Sequence, residues 1–287
     1  MRVFTSVAVA LMVAGAGALA APEVVRFTGT GTASPALQAA APGIKRELGL
    51  DLKFDPQSLS GSAIQSVGVD AADLALITRP LTPEDRSDFP SRRFFEIEIA
   101  VQVVVPIVSR ETFESGVKSI SKKEFTDLYE GAIRNWKQVG GEDREIKFYN
   151  PEHGRGVWEL FVTWLYGDIR KAPLGKKWET VQTNQEARDT VEFNSGSISL
   201  APPKWADGKK VIPLAVRDES GVIEPTVENF RSKKWPITRP LVIVAGNRPT
   251  GSIRHLLGFI VGPNGRAALE KGDFVALPEA EAKLKEE

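Results

Sequence analysis

Apolar and polar positions change period repeatedly along the chain. Val24-Val25-Arg26-Phe27 is a short extended run that enters a stretch of glycines and small hydroxyl residues, Thr28 to Ser34, and Pro35 to Leu48 then takes helical spacing. Leu50 to Phe54 alternates apolar with polar residues, the mark of a half-buried strand. Ser60-Gly61-Ser62 opens the helical piece that continues through Ala63-Ile64 to Val67. Asp73 to Ile77 reads as a buried strand that runs into Thr78-Arg79-Pro80-Leu81. Thr82-Pro83-Glu84-Asp85 has an N-cap residue followed by proline at the first helical position.

The pattern continues with Ile97 to Val108, almost unbroken in its apolarity and long enough to serve as a central strand crossing between lobes. Lys122 to Trp136 predicts two helical turns and a tight turn at Gly131. Ile146 to Tyr149 predicts a strand feeding the loop Asn150–Gly156, with Trp158, Phe161, Val162 and Leu165 on one face of the next helix. Asn184 to Val191 predicts a helix, Ser197 to Leu200 a buried strand, Pro240 to Ala245 a second long apolar strand and Ile253 to Val261 a helix. Glu279 to Glu287 reads as a charged, solvated helical end.

Strands alternating with helices predict an α/β fold with largely parallel sheets, in which ligands bind at the carboxyl ends of the strands. Three consecutive strand-to-helix loops carry small hydroxyl residues or an arginine, so those ends are where chemistry is expected. All six tryptophans fall between Trp136 and Trp235. That shift in composition predicts a separate lobe between the two long apolar strands: one lobe from 21–102 and 241–287, the other from 103–240.

Charge and composition narrow the function. With 37 basic and 37 acidic side chains, there is no excess cation for a nucleic-acid partner. Arg2 followed by an apolar run to Ala20 has the form of a signal peptide over residues 1–20, cleaved after Ala20; an uncleaved membrane anchor is the alternative. The sequence has no cysteine. A lipid-tethered form, a disulfide framework and a zinc site are therefore not expected, and the exported protein is predicted to lie free in the periplasm as a monomer. Thr28-Gly29-Thr30-Gly31-Thr32 lacks the lysine of a P-loop and the spacing of a dinucleotide fingerprint, no G-x-S-x-G elbow is present, and His153 and His255 have no metal-ligand spacing. No enzyme activity and no cofactor are expected.

Six segments, in order, resemble the phosphate-binding proteins of ABC transporters, within the periplasmic binding protein type 2 superfamily. They are FTGTGTASP, SGSAIQSV, DLALITRPLTPED, FTDLYEGAIRNWKQVGG, HGRGVWELFVTWL, and WPITRPLVIV with LLGFIVGPNGRAAL. The resemblance implies two α/β lobes with mixed, mostly parallel sheets flanked by helices and joined by two crossing strands. It also implies a cleft that holds inorganic phosphate or a related oxyanion, and delivery to an ABC transporter permease. Helix N-termini suit such a ligand, because their unpaired N–H groups and positive dipole ends attract anions.

Carried over residue by residue, the resemblance places Thr32 or Ser34 in the first loop, since the hydroxyl ligand position falls near Ala33. It places Ser60 and Ser62 in the second loop and Thr78 with Arg79 in the third. Thr78 stands where the family has an aspartate that accepts the proton of a protonated phosphate. In the fourth loop the family's arginine, serine and threonine are replaced by Pro151, Arg155 and Val157, leaving Arg155 and Gly156 as candidates there. Arg79 and Arg155 suit bidentate anion binding but equally suit salt bridges, and Thr32, Ser34, Ser60 and Ser62 also suit helix capping. These departures leave a second reading open: a divergent envelope interaction or sensing module with weak or no phosphate binding.

Overall fold

The computed structural model describes residues 23–29, 31, 34–55, 59–173 and 178–286. The expected signal peptide, Thr32 and Ala33 lie outside the described residues. In chain order the first half runs β1 (Glu23–Gly29), α1 (Ser34–Leu48), β2 (Leu50–Asp55), α2 (Ser60–Gly68), β3 (Leu74–Ile77), α3 (Pro83–Ser87), β4 (Phe95–Val103), β5 (Val105–Ser109), α4 (Arg110–Glu114), β6 (Ser119–Ser121) and α5 (Lys122–Tyr129). The second half runs β7 (Lys147–Pro151), α6 (Gly156–Tyr166), β8 (Glu179–Val181), α7 (Asn184–Phe193), β9 (Ser197–Ala201), β10 (Val211–Pro213), β11 (Ala215–Asp218), β12 (Gly221–Ile223), α8 (Val227–Arg231), β13 (Thr238–Ala245), α9 (Gly251–Val261), α10 (Pro263–Lys271), β14 (Phe274–Ala276) and α11 (Glu279–Glu286).

Two principal sheets result. The first has the order β14-β4-β13-β3-β1-β2, the second β10-β5-β9-β7-β8, and a small third sheet has the order β12-β11-β6. The chain passes between the principal sheets at Val104, where the predicted long strand breaks into β4 and β5, and again just before β13. These two passages bond to each other: Val104 N donates to Ile237 O (3.1 Å), and Trp235 Nε1 donates to Val104 O (2.9 Å). The fold is therefore two-lobed, with two adjacent crossing segments.

Period-two side-chain alternation explains the unbroken apolar runs. Leu74 and Leu76 of β3 join the large core on one face of the first sheet, while Ala75 and Ile77 join a smaller core on the other. Leu241, Ile243 and Ala245 of β13 divide from Val242 and Val244 in the same way. A strand covered on both faces has no polar side to show. Helix α1 buries Ala36, Leu37, Ala40 and Ile44, one stripe at helical spacing. Gly29 ends β1 at φ 145° against β3, where a Cβ would lie 2.0 Å from Leu76 O, so only glycine fits the approach.

Two expectations need correction. The sheets are more mixed than strand–helix alternation predicts: among the described residues five pairings are parallel and six antiparallel. Five of the antiparallel pairs arise where crossing or returning strands (β4, β5, β13, β14) enter a sheet without the helix-bearing crossover that parallel neighbours require, and the sixth is the short β11–β12 hairpin. The C-terminal helix is not simply solvated, because Ala280 and Leu284 of α11 are buried in the main core. The short strands β6 and β10–β12, of three or four residues each, carry too few positions to show a period. Among the described residues no helix is long and apolar enough to cross a membrane.

Candidate functional site

Strands β2 and β3 both lie parallel to β1, so the loops that follow all three emerge at one edge of the first sheet. Two of those loops touch: Thr78 N donates to Ser60 Oγ at 3.4 Å, leaving the Ser60 hydroxyl proton free to be donated in turn. Ser60 is the first residue of α2, and Ser34, buried, is the first residue of α1. Thr78 is half-buried at the end of β3. The geometry thus gathers Ser60 and Thr78 and places Ser34 at the neighbouring loop.

Two predicted residues are turned elsewhere. Ser62 is exposed and donates to Leu59 O at 3.0 Å, a local bond within the first turn of its own helix. Arg79 is held by Asp85 in a two-pronged pair, Nη1 to Oδ2 at 2.5 Å and Nη2 to Oδ1 at 2.9 Å. Asp85 is also the third helical residue of a capping box with Thr82. Hydrogen bonding from Arg79, then from Thr82, holds the Asp85 carboxyl well below the usual carboxylate range. The salt-bridge alternative for Arg79 is the one realised, so its guanidinium is not directed to a free anion.

The second sheet repeats the arrangement. β8 and β9 flank β7 in parallel, so the loops after these strands share an edge. Arg155 is the N-cap of α6, and its Nη2 donates to Asn184 Oδ1 at 2.7 Å. Its Nη1 is buried without a hydrogen-bond partner among the described residues. Burial lowers the Arg155 pKa, against the pull of Glu152, Asp273 and Glu186 in the opposite sense. A buried guanidinium nitrogen with an unmet donor is the kind of group that an anion satisfies. Gly156 follows as the half-buried first residue of α6.

Capping separates these helices from others. α3, α4, α5, α7 and α8 each have a first-turn N–H group satisfied by their own N-cap side chain: Thr82, Ser109, Ser121, Thr183 and Thr226. α2 and α6 have no such bond, their N-caps being Leu59 and Arg155. α9 and α10 also lack a side-chain cap, but only α2 and α6 among these four begin directly after the clustered strand ends. The first-turn N–H groups of α2 and α6 are thus not taken by their own N-cap side chains, α2 standing with Ser60 at the strand ends of the first sheet and α6 with Arg155 at those of the second.

Several residues at the site escaped the sequence reading. Arg239, in β13, donates from Nε to Gln102 Oε1 (2.6 Å), and its Nη1 lies 3.5 Å from Glu159 Oε2, one turn of α6 beyond Arg155. Burial lowers its pKa, partly opposed by Glu159. Asn184 and Asp273 bond each other beside Arg155, Nδ2 to Oδ2 at 2.9 Å. Arg239 and Glu159 lie in segments singled out in the sequence (WPITRPLVIV and HGRGVWELFVTWL) and Asn184 opens a predicted helix, but Asp273 lies in none of them. Two aromatics flank Arg155: Trp158 is a core residue, and exposed His153 packs against it with ring centroids 3.9 Å apart and planes tilted by 42°. Among the described residues no group of three His, Asp or Glu side chains is placed to hold a metal.

Comparison with known proteins agrees with this fold. The chain is 23% identical over 209 residues to the phosphate-binding protein PstS of Borreliella burgdorferi, covering 71% of this chain and 72% of that protein. It is 22% identical over 232 residues to the protein of the same name from Staphylococcus aureus, covering 78% and 69%. Among solved structures, PstS from Borrelia burgdorferi matches with a TM-score of 0.70 at 24% identity over 88% of this chain and 98% of that one. A possible phosphate-binding protein from Planctomyces limnophilus matches with a TM-score of 0.76 at 14% identity, over 92% and 96%. A sequence profile described as "PBP superfamily domain" matches residues 16–263, and the chain therefore belongs to the PBP superfamily.

Proposed function

We propose that this protein captures phosphate, or a related tetrahedral oxyanion, between its two lobes and delivers it to an ABC transporter permease. The observation that carries the reading is Arg155: a half-buried side chain whose Nη1 is buried and, among the described residues, unpartnered, standing as N-cap to a helix with no side-chain cap. The proposed ligand set is Ser60, Thr78, Arg155 and Gly156, with Ser34 and Thr32 from the first loop. Magnitudes rank these groups. A helix N-terminus contributes about 0.3–1 kcal/mol toward an anion, whereas a hydrogen bond to a charged group contributes about 1.5–3 kcal/mol. The hydroxyls also donate to the charged ligand, but Arg155 alone of the set adds a full positive charge and a forked donor geometry, and is therefore the dominant member.

The names of the curated relatives, and of a Clostridium perfringens structure titled as a phosphate ABC transporter substrate-binding protein with bound phosphate, support phosphate as the first ligand to test. Thr78 in the carboxylate position supports testing sulfate beside it, since a hydroxyl can donate to a fully ionised ligand whereas an acceptor-only carboxylate selects a protonated one. We take the protein to be a periplasmic monomer without catalytic activity. We take its lobes to be 21–102 with 241–287, and 103–240; sheet membership supports this division, since the crossings at Val104 and Ile237 fall within a few residues of it.

Thermal unfolding tests the reading. A ligand at about 100 times its Kd stabilises the folded state by about 2.7 kcal/mol, which for a chain of this size is a rise in Tm of about 5 °C or more. Phosphate should give that rise in the wild type, and Arg155→Ala should weaken binding about 30- to 100-fold, the equivalent of about 2–3 kcal/mol. No shift with phosphate, sulfate or an organic phosphate would leave the fold as an interaction module and end the transport reading.

A further inference from the structure

The turn between α10 and β14 belongs to the first sheet's lobe, yet the side chains that bond it come from the second. Asn184 Nδ2 donates to Asp273 Oδ2 at 2.9 Å, and Trp205 Nε1 donates to Asp273 Oδ1 at 2.9 Å. Lys204 Nζ lies 2.7 Å from Asp273 Oδ1 and donates to the carbonyls of Lys271 (2.7 Å) and Glu270 (3.3 Å). Those carbonyls close the last turn of α10, the negative end of its dipole, where a cation is favoured. Asp273 itself sits in the left-handed region at φ 72°, a conformation that surrounding contacts must hold in place.

We propose that Asp273 is a latch that couples closure of the two lobes to the orientation of Arg155. The link is the Asn184 amide. One end donates to Asp273 across the lobes, and the other accepts from Arg155 Nη2 at 2.7 Å. If the lobes part, Asn184 loses Asp273 and nothing across the cleft fixes which way its amide faces. Arg155 is then free to turn from the position that leaves Nη1 buried. With the lobes together, one carboxylate fixes Asn184, and Asn184 fixes the cation. Asp273 is a positioning residue that touches no ligand.

The latch is reversible by construction. Side-chain exposure is 28% at Asp273 and 42% at Lys204, and a cavity of about 440 Å³ whose lining includes Lys204, Asp273 and Phe274 reaches the turn. Water can therefore replace the partners of Asp273 when the lobes separate. An ion pair this exposed adds little to global stability, so its placement across the seam points to closure rather than to folding.

The absence of native cysteine makes the test direct. Spin labels at Glu84→Cys on the first lobe and Lys123→Cys on the second report the distance between lobes by pulsed electron resonance, with and without inorganic phosphate. Asp273→Asn in that background should deplete the short-distance population in both conditions while leaving the urea midpoint unchanged. A distance distribution identical to that of the parent would overturn the latch, whether or not phosphate binds. The inference about Arg155 rests on the proposed function and has its own arm. Asn184→Leu should keep the short distance, because Lys204 and Trp205 still hold Asp273, and should weaken phosphate about tenfold. Unchanged affinity in a parent that binds phosphate would refute the Asn184 link, and a parent that binds none would refute the proposed function while the distances still decide on Asp273.

Discussion

Arg79 and Arg155 look alike in sequence, each following a strand and preceding a helix, and the structure gives them opposite fates. Arg79 meets Asp85 six residues on, in a cap that also uses Thr82. Arg155 donates to the neutral Asn184 and, among the described residues, keeps one buried nitrogen without a hydrogen-bond partner. The Thr82-Pro83 start was legible because caps are local. The capture of Arg79 by the same cap was harder to read, because a short-range salt bridge and an anion site present the same residue types. The Asp85 pairing has a pH signature. Its carboxyl titrates below its ordinary value of 3.8 when folded, so its contribution is complete above that value and is lost as pH falls below it. Asp85→Asn should cost about 1–2 kcal/mol at pH 7 by urea unfolding, from the cap and the pair together. The difference from wild type should shrink below about pH 4. A difference that grows on acidification would contradict the assignment.

At the scale of elements, a serine at the start of a helix is ambiguous between capping and binding, and the structure separates the two. Ser121 caps α5 through Glu124 N, whereas Ser60 lies inside α2 and accepts from a neighbouring loop. Ser121→Ala should therefore lower stability by about 1 kcal/mol and leave phosphate affinity unchanged. Ser60→Ala should weaken phosphate about fivefold or more, the loss of about 1 kcal/mol of hydrogen bonding, with its urea midpoint close to that of the wild type. Paired calorimetry and unfolding decide, and the reverse pattern would remove Ser60 from the site. The long strands and the helices flanking the loops were legible because each spans several periods of its pattern. The three-residue strands were not, and neither was strand direction in the crossing segments, which depends on where the chain re-enters a sheet.

For the whole molecule, the two lobes were legible from two long apolar runs and the tryptophans between them. The seam was not. Asn184, Lys204, Trp205 and Asp273 are up to 89 residues apart and converge only because β8, β9 and β14 bring their loops to one place. No local pattern marks Asp273 beyond its position after Gly272 at the end of a helix. Arg239 and Glu159 meet in the same way, through tertiary structure alone. The resemblance carried by six ordered segments pointed to two lobes and to the strand-end loops, whereas the contacts between those loops, such as Thr78 with Ser60 and Arg155 with Asn184, arise from tertiary structure alone.

Isothermal titration of protein that has been unfolded, dialysed free of anions and refolded is the most direct measurement of the central claim. Phosphate should give saturable heat at a single site per chain, retained in Arg79→Ala and greatly weakened in Arg155→Ala. Absence of saturable heat in the wild type, or equal binding by Arg155→Ala, would contradict the account.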